Sequence, residues 1–159
     1  MRVLLVQAPT YNPEMEGAIF PLGLAYLATA LRPAHEVEIL DLNLADDPSR
    51  ALLDAAARHR AEAVGYSLRN IKVSRPGVEE QQVAIDPAVA PLRALRAAHP
   101  ALPIIAGGCA FGLYARPLME RQPELDVGLV GEAEEAFPAL LAHLDEPWKV
   151  AGAVYRREG

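Results

Sequence analysis

Short apolar-leaning runs alternate along this chain with segments whose apolar positions recur at helical spacing, and the alternation repeats five times. Two parallel strands can be joined only by a long crossover, which a helix supplies, so this order restricts the fold to βαβ units around a parallel sheet. The expected strands are 2–7, 36–43, 61–67, 102–108 and 125–131, and the expected helices are 22–32, 48–60, 87–100, 114–123 and 132–144. Pro21 suits the first helical turn, where a missing N–H is harmless. The fold class that follows is α/β: a Rossmann-like or flavodoxin-like three-layer sandwich with a five-stranded parallel sheet. The tail "WKVAGAVYRREG" reads as a short extra strand or hairpin arm with no cap or packing partner of its own.

Composition narrows the function classes. At 159 residues and 52% hydrophobic, the chain can bury one substantial core and is expected to form a single domain. No apolar run approaches the roughly 18–20 residues of a membrane span, and "MRVLLVQAPT" reaches Gln7 and Pro9 too soon for a signal-peptide core, so no membrane partner and a cytoplasmic location are expected. A formal net charge of −6 with scattered Lys and Arg argues against nucleic acid, whose binding needs clustered cations. The single cysteine, Cys109, can neither close an internal disulfide nor by itself hold zinc or an iron–sulfur cluster. Metal chemistry must therefore arrive in a cofactor or from another segment.

In an open parallel sheet, ligands bind beyond the carboxyl ends of the strands, near the reversal of strand order. The segments there are "APTYNPEMEGAIFP", "DLN", "SLRN", "GGCAFG" and "GEAEE", rich in glycine, small residues and polar tips. They suit close backbone approach to a large flat ligand better than side-chain catalysis. Gly107 and Gly108 leave no Cβ to clash, which serves a ligand or a tight strand-to-helix turn equally well. Their spacing is not the dinucleotide fingerprint, and they follow the fourth strand rather than the first, which argues against a nicotinamide site. Glu132, Glu134 and Glu135 open the last helix, where carboxylates are favoured by the helix dipole. His35, His59, His99 and His143 all fall at or past helix ends on the opposite edge, so the site works without histidine and no metal site is expected. A receiver-type phosphoacceptor would need acids after strand one and at the end of strand three, and a Lys after strand five. Those places hold Gln7 and Ala8, Ser67, and Gly131. The connection "LRNIKVSRPGVEEQQVAIDP" is too long and polar to be routine, and part of it is expected to cover what the site binds.

The segments "FPLGLAYLATALR", "HEVEILDLN", "GYSLRNI", "PIIAGGCAF" and "VGLVGEAEEAFPALL", in this order, resemble the N-terminal cobalamin-binding domain of the class B radical S-adenosylmethionine methyltransferases. The resemblance covers almost the whole chain. Within that family, "SLRN" and the first loop are most similar to the tryptophan 2-C-methyltransferases of thiopeptide antibiotic biosynthesis. "AGAVYRREG" resembles the arm that leads into the radical SAM barrel, whose cluster-binding cysteines are absent here. The resemblance implies a cobalamin-binding domain over 1–150, with 151–159 starting a connection to an absent radical SAM domain of the same chain. It implies cobalamin in this domain, and S-adenosylmethionine and a 4Fe–4S cluster in the absent one. The fragment alone is then inactive. A free-standing corrinoid carrier, or a scaffold that has lost the vitamin, are the alternatives.

Cobalamin domains of the methionine synthase type carry Asp-x-His-x-x-Gly after strand one, and that His ligates cobalt. This chain has "APTYNP" there and no nearby His, so a base-off mode without a His ligand is implied. Their Ser-x-Leu and Gly-Gly motifs match at Ser67 and at Gly107 and Gly108, with Arg69 in place of the leucine. Carried over position by position, cofactor binding falls to Pro9, Thr10, Tyr11 and Asn12, to Ser67, Leu68, Arg69 and Asn70, to Gly107, Gly108, Cys109 and Ala110, and to Gly131, Glu132 and Glu135. No residue of the fragment is catalytic. The family chemistry implied is methyl transfer from S-adenosylmethionine through methylcobalamin to a substrate carbon. A protonated guanidinium cannot act as a ligand, so Arg69 would hold the lower axial position of cobalt empty. Its alternative is a surface pair with Glu14 or Glu16, worth about 0–1 kcal/mol.

Overall fold

Strands and helices alternate as expected in the computed structural model, which describes residues 1–9, 19–69 and 86–156, without the side chain of Asp86. Expectations that fall on Thr10, Tyr11, Asn12 and Asn70, on Glu14 and Glu16, and on the long connection at 70–85 lie outside the described residues. The strands are β1 (Arg2–Gln7), β2 (Glu36–Asp41), β3 (Ala63–Ser67), β4 (Ile104–Gly107), β5 (Val127–Leu129) and β6 (Ala153–Tyr155). The helices are α1 (Leu22–Leu31), α2 (Pro48–His59), α3 (Asp86–Ala98), α4 (Cys109–Arg121) and α5 (Ala133–Leu141).

The sheet runs β2-β1-β3-β4-β5-β6. Its first five strands are parallel, and β6 pairs antiparallel with β5. The flavodoxin-like order is thus present, but the sheet has six strands rather than five. The tail has the packing partner the sequence did not reveal, and the sheet continues past residue 150 to Tyr155. An unpaired β5 edge would leave backbone donors and acceptors exposed to wrong pairing, and β6 takes them up. Gly152, at φ 82°, makes the reversal, because a Cβ there would stand 2.5 Å from the Val130 carbonyl oxygen. The Arg156 guanidinium then donates to the carbonyls of Met119 (2.6 Å) and Leu125, fixing the strand's end to the α4–β5 connection.

Several boundaries also shift from expectation, and two of the shifts have a clear local cause. β2 stops at Asp41 because the Asp41 carboxylate accepts from the Asn43 backbone N–H (3.0 Å) and side-chain amide (2.7 Å). This local turn competes with the sheet ladder and starts a 3-10 turn over Leu42–Leu44. α4 begins at Cys109 rather than Tyr114, since Gly108 turns the chain straight from β4 into the helix. Tyr114 marks a kink instead (φ −130°, ψ 24°), three residues before Pro117, whose ring and missing N–H disrupt the preceding turn.

Successive strand residues face opposite sides, so the sheet builds two cores. Val6, Val64, Tyr66 and Ile104 pack under α2, α3 and α4. Val3, Leu5, Ala63, Ile105 and Val127 pack under α1 and α5. Tyr66 is buried, and its hydroxyl donates to the Ala88 carbonyl at 2.5 Å, tying β3 to the first turn of α3. Burial pushes its pKa far above the usual tyrosine range. On the same side, Gly128 lets the Phe111 ring lie against β5, where an added Cβ would sit 2.1 Å from the ring. Gly128→Ala should therefore lower stability by about 1–3 kcal/mol through overpacking, read as a reduced urea midpoint with an unchanged m-value.

Candidate functional site

The carboxyl halves of β3 and β4 lose side-chain volume on the face toward α1 and α5. Along β3 that face carries Ala63, Gly65 and Ser67, and along β4 it carries Ile105 and then Gly107. α1 and α5 close together over the bulky amino half through Leu27, Leu31, Phe137 and Leu140. Over the depleted half, the layers leave a cavity of about 450 Å³. Its walls are Leu24 and Leu27 of α1 and Phe137 of α5; its rim includes Ser67, Gly131, Glu132 and Glu134. Gly65 is required by the packing below it, since a Cβ would fall 2.7 Å from a Leu5 methyl and 2.9 Å from the Phe137 ring. At Gly107 the nearest atom to an added Cβ is the Leu129 carbonyl oxygen at 3.8 Å, an ordinary contact, so a side chain there would enter the cavity without a clash.

A second cavity, of about 560 Å³, adjoins the first and shares Gly23, Leu24, Ser67, Gly108 and Cys109 with it. It adds Gln7 at the end of β1, Arg69 just past β3, and the apolar Ile19, Phe20 and Leu22. β1 and β3 are neighbours whose connections leave in opposite directions along the sheet. The second cavity therefore stands at the topological switch point, where open α/β sheets bind ligands.

The lip between the two is fixed by backbone bonds. Leu68 N–H donates to the Gly107 carbonyl (2.8 Å), and the Leu68 carbonyl accepts from Ala110 N–H (3.0 Å) and Phe111 N–H (3.4 Å), satisfying first-turn donors of α4. The Cys109 thiol donates to the Arg69 carbonyl at 2.9 Å. Gly108 adopts φ 97° and ψ 165°, and a Cβ there would meet the Leu68 carbonyl oxygen at 2.7 Å.

Of the residues anticipated from sequence, Ser67, Gly107, Gly108, Cys109, Gly131 and Glu132 line the first cavity. Arg69 lines the second. Leu68 and Ala110 are buried and brace the lip rather than line it, while Pro9 and the exposed Glu135 line neither cavity. Glu134, not Glu135, faces the first cavity. Sequence reasoning missed Gln7, Gly23, Leu24, Leu27, Gly65 and Phe137. An isolated glycine inside a strand signals close approach, which could have found Gly65; the α1 and α5 residues carry no such signal. None of the four histidines lines either cavity. His35 instead sits 3.5 Å from the N-terminal amine, and burial together with that amine lowers its pKa. Among the described residues, no group of three or more His, Cys, Asp or Glu could hold a metal, and no helix is long and apolar enough to cross a membrane.

A family model described as the B12 binding domain matches residues 11–141. Among solved structures, a radical S-adenosylmethionine methyltransferase, TsrM, from Kitasatospora setae with cobalamin and a 4Fe–4S cluster bound is 25% identical, with a TM-score of 0.80 over 99% of this chain and 27% of that one. The same enzyme with tryptophan substrate and an S-adenosylmethionine analogue bound gives 24% identity and a TM-score of 0.78, over 99% of this chain and 29% of that one. The cobalamin-dependent S-adenosylmethionine radical enzyme OxsB, with aqua-cobalamin and S-adenosylmethionine bound, gives 18% and 0.72, over 98% and 21%. The chain spans less than a third of each, and the last two likenesses establish the fold alone. A search of curated proteins finds no match.

The two positive-φ glycines of the rim should respond differently to substitution. Gly108→Ala combines a backbone region reserved for glycine, about 1–3 kcal/mol, with a clash against Leu68. Gly131→Ala meets nothing within 4 Å and carries only the backbone term. Thermal unfolding should show the larger drop in melting temperature for Gly108→Ala.

Proposed function

The chain belongs to the B12 binding domain family and its cofactor is cobalamin, and from this premise we propose that it binds the vitamin base-off, with no histidine ligand. The observation that carries the reading is the pair of adjoining cavities at the carboxyl edge, floored by glycines and free of histidine. The residues present fit the group. A cavity of about 450 Å³ lies within the usual range of ligand sites, roughly 300–1,000 Å³. Its walls of Leu24, Leu27 and Phe137 suit the aromatic dimethylbenzimidazole tail and exclude water from it. The Ser67 hydroxyl and the carboxylates of Glu132 and Glu134 suit the ribose hydroxyls of the nucleotide. Gly107, Gly108 and Gly131 allow the backbone to come close to both.

The second cavity, beside Phe20, Leu22 and Arg69, is the place for the corrin. Arg69 lines it and offers donors only, so it would set a positive, non-ligating group toward the lower face of the corrin. The proposed contact set keeps Thr10, Tyr11, Asn12 and Asn70, and Leu68 and Ala110 serve it by bracing the lip; Pro9 and Glu135 line neither cavity and are left out of it. When bound, cobalamin supplies the methyl-carrying cobalt chemistry; the protein binds, orients and shields it.

In the wider reading, this is the cofactor domain of a cobalamin-dependent radical SAM methyltransferase that moves a methyl group from S-adenosylmethionine to a substrate carbon. Tryptophan C2 is the proposed acceptor, with thiopeptide antibiotic biosynthesis as the setting. S-adenosylmethionine and the 4Fe–4S cluster belong to a separate radical SAM domain of the same chain, and the described part alone is inactive. The likeness to TsrM at 25% identity supports this. A cytoplasmic setting keeps the exposed Cys109 thiol reduced.

Mixed with hydroxocobalamin and desalted, the protein should stay coloured at one cobalamin per chain; a colourless protein overturns the reading. Bound cob(II)alamin should give an EPR spectrum without nitrogen hyperfine splitting from a lower ligand, and such splitting would sink the base-off, histidine-free mode. Gly107→Leu, whose side chain enters the first cavity, should weaken cobalamin binding by at least about tenfold, or 1.4 kcal/mol, with little change in melting temperature.

A further inference from the structure

One polar side chain in the second cavity is left over by this account. Gln7 is the last residue of β1 and only 5% exposed. Strand alternation puts it on the α1 face in line with Val3 and Leu5, which are both in the core. It lines the cavity beside Phe20, Leu24 and Arg69.

Its carboxamide is only partly used. Nε2 reaches the Ser67 carbonyl at 3.5 Å, a long contact, and that oxygen already accepts the Ala8 N–H at 3.0 Å. Turning the amide over would set Oε1 against the same carbonyl oxygen, so the orientation is fixed. The second N–H and Oε1 then have no partner among the described residues. A methionine or leucine would fill this position with no buried polar group to satisfy. A half-satisfied amide at the base of a largely apolar cavity points to a ligand that completes it.

The required ligand group offers both a donor and an acceptor and carries no charge, because Gln7 itself is neutral and presents one of each. A primary carboxamide matches this; a carboxylate or phosphate offers acceptors alone and would leave Oε1 unmatched. The rim of the corrin ring carries primary carboxamides. We propose that Gln7 recognises one of them by a reciprocal pair of amide–amide hydrogen bonds, so that the site distinguishes amidated corrinoids from their hydrolysed acids. This rests on the cobalamin reading and adds the ring position of recognition to it.

The test is a set of dissociation constants, measured by absorbance titration on the whole chain. The probes are hydroxocobalamin, cobinamide, which keeps the rim amides but lacks the nucleotide tail, and separated monocarboxylic acids of cobalamin. Gln7→Met should lose about tenfold for both cobalamin and cobinamide, without a fall in melting temperature. Gly107→Leu should lose affinity for cobalamin alone, because its side chain enters the tail cavity. The wild type should discriminate about tenfold against one monocarboxylic isomer, and Gln7→Met should not. Equal binding of every isomer by the wild type overturns the inference without any variant, as does wild-type affinity in folded Gln7→Met. Failure of the wild type to bind any corrinoid overturns the cofactor reading first and this inference with it.

Discussion

A strand buried on both faces can make room on one of them only by giving up side-chain volume there, and β3 does this at Gly65 and Ser67. Everything at the carboxyl edge depends on that concession. Gly65 lets the Phe137 ring settle against the strand, and so sets how close α5 approaches the sheet. Ser67 and Gly107 then leave the next layer empty, and the gap between helices and sheet becomes a cavity rather than core. The opposite face makes no such concession. There Tyr66 fills the alternate position completely and hydrogen-bonds to α3. One strand thus carries a packed core on one side and a cavity on the other.

The lip of the cavity is held by the backbone. The Leu68 carbonyl serves two N–H groups of α4, and the Leu68 N–H donates the next bond of the ladder to the Gly107 carbonyl. This bracing explains why Leu68 and Ala110 matter to the site without lining it. It also explains the conformation of Gly108, since no residue with a Cβ could pass this close to Leu68. Pre-organised backbone of this kind suits a cofactor that supplies the reactive chemistry and requires of the protein mainly shape and orientation.

Local patterns revealed most of the frame. The apolar runs and helical spacing located all five βα units, and the histidine-free edge and the glycine pair pointed to the candidate site. Two of the misplaced boundaries have local causes that propensity hides. Phe111 and Gly112 sit in "GGCAFG" like loop residues, yet they are helical because Gly108 turns the chain early and Phe111 is needed in the core. The tail already reads as a short extra strand; its partner, the open edge of β5, is what only the folded chain supplies.

By itself the sequence determined the fold class, the sheet edge that carries the candidate site, and the absence of a histidine from it, because these follow from periodicity and residue type. The tertiary structure alone decided which helix faces wall the first cavity, that Glu134 rather than Glu135 faces it, and that Gln7 lines the second while almost fully buried. Periodicity says that a residue faces a side of its own element. What stands opposite it is fixed only when helices and sheet pack, and a cavity is a property of that opposition.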